Sequence, residues 1–146
     1  MKEDILTLIE KSFSFEKANL EDLTPLGMAF VGDAVGTLVI RTIAASDGPQ
    51  RVEKLHRFSA DLVSAAAQSQ MMHAIQPNLT EEEHSIYRRG RNQKPVTRAR
   101  HQSVGDYRRA TGFEALIGYL YLTHQHERLI ELMKIGYETV KAQEEE

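Results

Sequence analysis

Apolar positions recur along this chain at intervals of three and four residues, and runs of β-branched residues alternating with polar ones are missing. That pattern predicts an all-α chain. Ile5, Leu8, Ile9 and Phe13 place a first helix over about Glu3 to Lys17. A loop with Asn19, Asp22 and Thr24 follows, and Thr24 reads as an N-cap with Pro25 at the first helical position. The second helix, about Pro25 to Ala45, is apolar nearly all round (LGMAFVGDAVGTLVI), which predicts a place in the centre of a bundle. Gly32 and Gly36 lie four apart on one face of it, where missing side chains admit another backbone. Asp47-Gly48-Pro49 is a turn, and one long third helix is expected from Gln50 to Ile75, closed by Pro77-Asn78. Thr80 and Glu83 form a capping box that opens a fourth helix running to Arg89 or Asn92. Gln93 to Gln102 is a basic loop without an apolar period. A fifth helix covers Val104 to Leu122, with a possible break at Thr111-Gly112, and a last one runs from His126 to a tail at Glu144 to Glu146. No repeat or linker divides the sequence, so one domain over residues 1–146 is expected.

Composition narrows the class. With 146 residues the chain has the length of a single core. Hydrophobic residues at 41% and charged residues at 27% are globular proportions. The absence of cysteine excludes disulfide scaffolds, thiolate zinc sites and cysteine nucleophiles. No run approaches 18 consecutive apolar residues, and the first residues lack a signal-peptide core, so a soluble, cytoplasmic protein without a membrane partner is expected. The net charge is −3, but it is unevenly spread. Arg88 to Arg109 holds eight of the 18 Lys and Arg and one of the 21 acids, giving +7 there and −10 in the other 124 residues. A patch of this sign can hold a polyanion.

Two acids are locally wrong for stability. Asp33 is the one charge between Pro25 and Ile40, and Glu114 is the one charge in FEALIGYLYL. An ionised carboxylate in apolar surroundings costs several kcal/mol unless it is paired or binds a metal. Each acid could pair with a buried Arg or cap a helix. Alternatively the two meet across a helix contact and form a hard-oxygen site suited to Mg²⁺. The basic window could be a solvated face, yet Arg outnumbers Lys in it by seven to one, and Arg suits bidentate phosphate contacts. Arg88, Arg89, Arg91, Lys94, Arg98, Arg100 and Arg108 are the candidate phosphate contacts. A phosphate-gripping strip beside a carboxylate pair fits metal-assisted phosphodiester cleavage. Tyr87 and Tyr107 flank the strip and could pack on ribose or in the core. The six histidines carry no HExxH pattern and are expected at exposed helix positions, with His124 and His126 near a helix end and His101 within reach of phosphate. Glu81 to Glu83 lack the ExxD partner of an all-α nucleotide pyrophosphatase, and no P-loop or dinucleotide-binding glycine pattern is present.

These residues together resemble the ribonuclease III family. FVGDAV at 30–35 is similar to its first signature, and ATGFEALIGYLYL at 110–122 to its second. The segment LTEEEHSIYRRGRNQK between them resembles the family's small branch, Mini-ribonuclease III, which consists of the endonuclease domain alone. The resemblance covers about Leu23 to Leu132. It implies an all-helical endonuclease domain that forms a two-fold homodimer and cleaves double-stranded RNA with Mg²⁺, maturing large-subunit (23S) ribosomal RNA. Asp33 and Glu114 match the family's metal-binding catalytic carboxylates. Ala29 and Thr111 stand where larger relatives carry two further acids, which leaves the number of metal ions open, and Asp106 has no aligned counterpart. With the resemblance, Gly32 and Gly36 point to a dimer interface built partly on the second helix.

Two rival functions belong to other classes. A non-catalytic RNA-binding or ribosome-assembly module of the same fold would explain the two lost acids, and metal-dependent cleavage discriminates against it. A helical adaptor whose strip binds an acidic protein would show weak salt dependence of RNA binding.

Overall fold

The computed structural model describes residues 2–13, 22–94 and 103–144. Among these residues the chain is helical, without strands: α1 (Ile5–Ser12), α2 (Pro25–Ser46), α3 (Val52–Val63), α4 (Ala65–Ile75), a 3₁₀ turn (Gln76–Asn78), α5 (Glu81–Arg91), α6 (Val104–Leu122) and α7 (His126–Glu144). The all-α expectation holds. The expected caps form as well: the Thr24 hydroxyl accepts from Gly27 N, and Pro25 occupies the first turn of α2. Thr80 and Glu83 make both bonds of the capping box. The first helix begins two residues later than expected, after the Asp4 N-cap, and residues 14–17 of its expected end lie outside the described residues.

Two element predictions need correction. The single helix expected from Gln50 to Ile75 is two helices that meet at Ser64. Ser64 adopts an extended backbone (φ −63°, ψ 156°), its hydroxyl donates to Asp61 O, and it accepts from Ala67 N. A serine hydroxyl that can satisfy a fresh helix start competes with continuing the old helix. Conversely, α6 runs unbroken through Thr111-Gly112. Gly112 is there for space rather than for a bend, since a Cβ on it would fall 2.6 Å from the Tyr87 ring.

The centre of the bundle is α6, not α2. Its residues Phe113, Leu116, Ile117 and Leu120 pack with Met28 and Ile40 of α2, Met71, Met72 and Ile75 of α4, Tyr87 of α5 and Leu132 of α7. Each such side chain, fully buried, contributes about 1.5–3 kcal/mol. The helix that reads as apolar all round buries only one face, and on its other face Phe30 is 82% and Leu38 62% exposed. α2 is also long and apolar enough, with a mean hydropathy of 1.5 over 18 residues, to pass a membrane-span test by length and composition. That stretch contains Asp33, so a run of 18 consecutive apolar residues is still absent. The inner face of α2 is occupied by α6.

Candidate active site

Glycine brings the two solitary acids together. A Cβ on Gly32 would lie 1.7 Å from the Glu114 carbonyl oxygen, and one on Gly118 would lie 1.8 Å from the Met28 carbonyl oxygen. The backbones of α2 and α6 therefore touch at this crossing. This reverses the expectation for Gly32, which serves contact within the chain rather than between copies; a Cβ on Gly36 would meet nothing within 4 Å. Asp33 follows the contact glycine on α2, and Glu114 is the residue whose backbone that glycine meets. The crossing thus puts their carboxyl groups side by side.

The two acids are not equally buried, contrary to expectation. Asp33 is exposed in the protomer, whereas Glu114 lies largely inside. Burial first, and then the Asp33 carboxyl hydrogen-bonding and repelling it, push the Glu114 carboxyl up to about 8. At neutral pH the Glu114 carboxyl therefore stays protonated beside Asp33. No buried arginine compensates either acid among the described residues. The alternatives of a buried Arg partner or a helix cap are set aside.

The pair opens into a cavity of about 170 Å³ lined by Asp33, Val63, Ala65, Gln68, Tyr107, Ala110, Thr111 and Glu114. Tyr107 and Thr111 precede Glu114 on one face of α6, at helical spacing. Thr111, standing where larger relatives carry an acid, donates its hydroxyl to the Tyr107 carbonyl at 3.0 Å. Ala29, the other departure, is buried in the core. Gln68 was missed by sequence reasoning. It is a buried polar residue of α4, placed here because Ser64 breaks the helix before it, and nothing in its local sequence marks it.

The basic candidates fall into three groups. Arg88, Arg89, Lys94 and Arg108 are exposed, and among the described residues they form no ion pair. Arg91 is half-buried, with its guanidinium 5.5 Å from the Tyr87 ring centre. Arg98 and Arg100 lie outside the described residues, as do Pro95 and His101. Arg109, at the end of the basic window, is committed to structure: it bonds Ser69 at 2.6 Å and Asp106 at 3.1 Å. Asp106 is accordingly a partner of Arg109 and of the Ser103 cap, not a residue lining this cavity. Tyr87 is a core residue and Tyr107 a site residue, which resolves the two alternatives differently for each.

Comparison with known proteins supplies the family. Residues 26–125 match the Ribonuclease III domain. The chain therefore belongs to the ribonuclease III family and is an endoribonuclease. Among its relatives is Mini-ribonuclease 3 of Clostridium tetani, 47% identical over 122 residues, covering 83% of this chain and 81% of that protein. Mini-ribonuclease 3 of a Thermoanaerobacter species is 39% identical over 141 residues, covering 97% and 99%. Its place is thus in the small Mini-ribonuclease 3 branch. A crystal structure of a Fusobacterium nucleatum protein has a TM-score of 0.74 and 31% identity, covering 82% of this chain and 95% of that one.

Proposed function

We propose that this endoribonuclease cleaves double-stranded RNA with Mg²⁺ held by Asp33 and Glu114, that it acts as a homodimer in the cytoplasm, and that its substrate is the large-subunit (23S) ribosomal RNA precursor. The observation that carries the reading is the carboxylate pair at the α2–α6 crossing, one member half-buried and proton-holding. Two hard anionic oxygens side by side suit Mg²⁺, which takes carboxylate and water oxygens. When bound, the ion supplies Lewis-acid polarisation of the scissile phosphate and a more acidic water. Glu114, fixed by burial, holds its oxygen in place; Asp33, at the exposed mouth, meets the substrate side. Gln68 and Tyr107 line the cavity with an amide and a phenol able to donate to phosphate oxygens. Arg88, Arg89, Lys94 and Arg108 remain free to grip the backbone of a duplex, and double-helical RNA is recognised mainly through its shape, phosphates and 2′-hydroxyls.

The exposed face of α2 supports a dimer. Leu26, Phe30, Ala34 and Leu38 recur at four-residue spacing, and Asp33 lies on the same face. A second copy seated on that stripe buries its apolar surface and brings a second carboxylate pair toward the first, as two cuts in one duplex require.

The test is incubation with a long RNA duplex and with precursor ribosomal RNA, with and without Mg²⁺. Cleavage is expected only with the metal. Asp33→Asn and Glu114→Gln each reduce it by orders of magnitude while duplex binding survives. Near-normal cleavage by either variant overturns the assignment.

A further inference from the structure

A second cluster of chemistry-bearing side chains lies away from the α2–α6 crossing, where α1 meets the turn between α6 and α7. Asp4 caps α1 with one carboxylate oxygen, Oδ1 accepting from Thr7 N at 2.8 Å. Its other oxygen, Oδ2, lies 3.3 Å from His126 Nε2 and 3.9 Å from His124 Nδ1. The far nitrogen of His124, Nε2, is 2.8 Å from Oε1 of the buried Glu10. His126 Nε2 is itself buried and makes no hydrogen bond. One donor atom from each of Asp4, His124 and His126 falls within 4.8 Å of the others. The histidines, expected at exposed positions, are here only 23% and 33% exposed in their side chains.

The backbone gives an independent sign. α6 ends in a Schellman motif, with Gln125 N donating to Leu120 O and His124 N to Tyr121 O. The residue after the cap in that motif must be left-handed, and glycine usually fills it because a Cβ makes the conformation costly. Here it is His124, at φ 60°. Residues held in this conformation without being glycine concentrate at functional sites.

The geometry points to a transition-metal site of the zinc class, with Asp4 Oδ2, His124 Nδ1 and His126 Nε2 as ligands, clamping α1 to the α6–α7 turn. Two imidazole nitrogens and one carboxylate oxygen suit zinc, and they disfavour Mg²⁺, which prefers oxygen alone. With bonds of about 2.0–2.1 Å, ligands of a tetrahedral zinc stand about 3.4 Å apart. The Asp4–His126 spacing already has that length, and the Asp4–His124 spacing must shorten by about 0.5 Å on binding. Glu10 fits the outer-shell role: accepting a hydrogen bond from His124 Nε2 fixes the tautomer and directs the Nδ1 lone pair to the ion. Water takes the fourth position. Asp4, His124 and His126 share nothing with the oxygen-only pair of Asp33 and Glu114, so the two sites sort metals by ligand type.

The experiment uses the whole protein, stripped with chelator, then titrated with Zn²⁺ by calorimetry and with Co²⁺ by visible absorption. One equivalent of zinc bound at micromolar affinity or tighter, a tetrahedral cobalt spectrum and a rise in Tm with zinc are expected. Asp4→Asn keeps a good cap acceptor, and His124→Gly relieves the left-handed strain, so both variants fold. Each is expected to weaken zinc binding by about tenfold or more, whereas Glu114→Gln leaves the tetrahedral signal in place. Absence of stoichiometric zinc overturns the proposal. So does zinc affinity unchanged in both Asp4→Asn and His124→Gly, or a cobalt signal that disappears in Glu114→Gln, which would seat the ion at the other carboxylates.

Discussion

Glu114 is the residue on which the chemistry and the stability pull in opposite directions. Its carboxyl titrates near 8 in the folded metal-free protein and near 4.5 when exposed, because burial and the adjacent Asp33 disfavour its charge. Between those values the folded state binds the extra proton, so stability falls as pH rises from about 4.5 to about 8 and then levels off. Urea unfolding of metal-free protein across this range should show that decline, and Glu114→Gln should flatten it and be the more stable variant at pH 8. A slope equally steep in the variant would locate the titration elsewhere. The same proton competes with a cation. Mg²⁺ affinity is expected to weaken as pH drops below about 8, with about one proton released per ion bound at neutral pH. Calorimetry in buffers of different ionisation enthalpy measures that release directly.

At the scale of the element, the α2–α6 crossing decides the site and one ion pair ties α7 to α5. Gly32 and Gly36 look alike in the sequence, but only Gly32 meets backbone. Gly32→Ala must force α2 and α6 apart, at a cost of about 1–3 kcal/mol or more, and should abolish cleavage by parting the carboxylates. Gly36→Ala has room and removes a helix-weakening glycine, so an unchanged or slightly higher Tm is expected. Melting curves and duplex cleavage on the pair of variants separate the two roles. Glu83 accepts three hydrogen bonds at 2.9 Å each, one from Thr80 N that closes the capping box and two from Arg128 of α7. Arg128 also donates to Asn78 O. Glu83→Ala removes two charge-assisted hydrogen bonds and leaves the guanidinium to Glu131 and Asn78 O, and should cost about 1.5–3 kcal/mol in denaturant unfolding. The Arg128 hydrogen bonds hold the Glu83 carboxyl below its usual value. Its contribution is therefore fully present above about 4.5 and lost as pH falls through the lowered pKa, opposite in sign to Glu114.

For the whole molecule, the proposed dimer rests on the apolar stripe of α2 and the proposed RNA binding on the arginines of α5 and α6. Phe30, 82% exposed, is the largest apolar side chain on the stripe. Phe30→Glu is expected to convert a micromolar dimer into a monomer with weak cleavage, read by light scattering; a wild-type protein that is already an active monomer would refute the dimer. Arg88, Arg89 and Arg108 are exposed and belong to no ion pair among the described residues. Neutralising the three together should flatten the dependence of log affinity on log salt by up to about 2.7, for roughly 0.9 per phosphate contact. The loss should be similar for duplexes of unrelated sequence, because phosphate contacts carry no sequence information directly. An unchanged slope would return these arginines to a merely solvated face.

The sequence by itself determined what depends on neighbours along the chain. Helix type follows from apolar spacing, helix starts from Thr24-Pro25 and the Thr80–Glu83 box, and the candidacy of Asp33 and Glu114 from solitary charges in apolar runs. What required distant partners was decided only in the folded chain. Periodicity marked α2 as apolar on all sides, but it could not say that α6 takes the centre and leaves Phe30 and Leu38 outside. Spacing marked two glycines, while the close packing that leaves no room for a Cβ on Gly32 against Glu114 O depends on how two helices cross. That crossing also left one acid half-buried and the other exposed. Ser64 turned one expected helix into two through a hydroxyl bond whose competition with helix continuation local pattern does not rank. The histidines show the limit most plainly. His124 and His126 are unremarkable in sequence beside Asp4 and Glu10, more than a hundred residues away. They become a ligand set only because α1 folds back onto the turn, bringing together groups that no local rule connects.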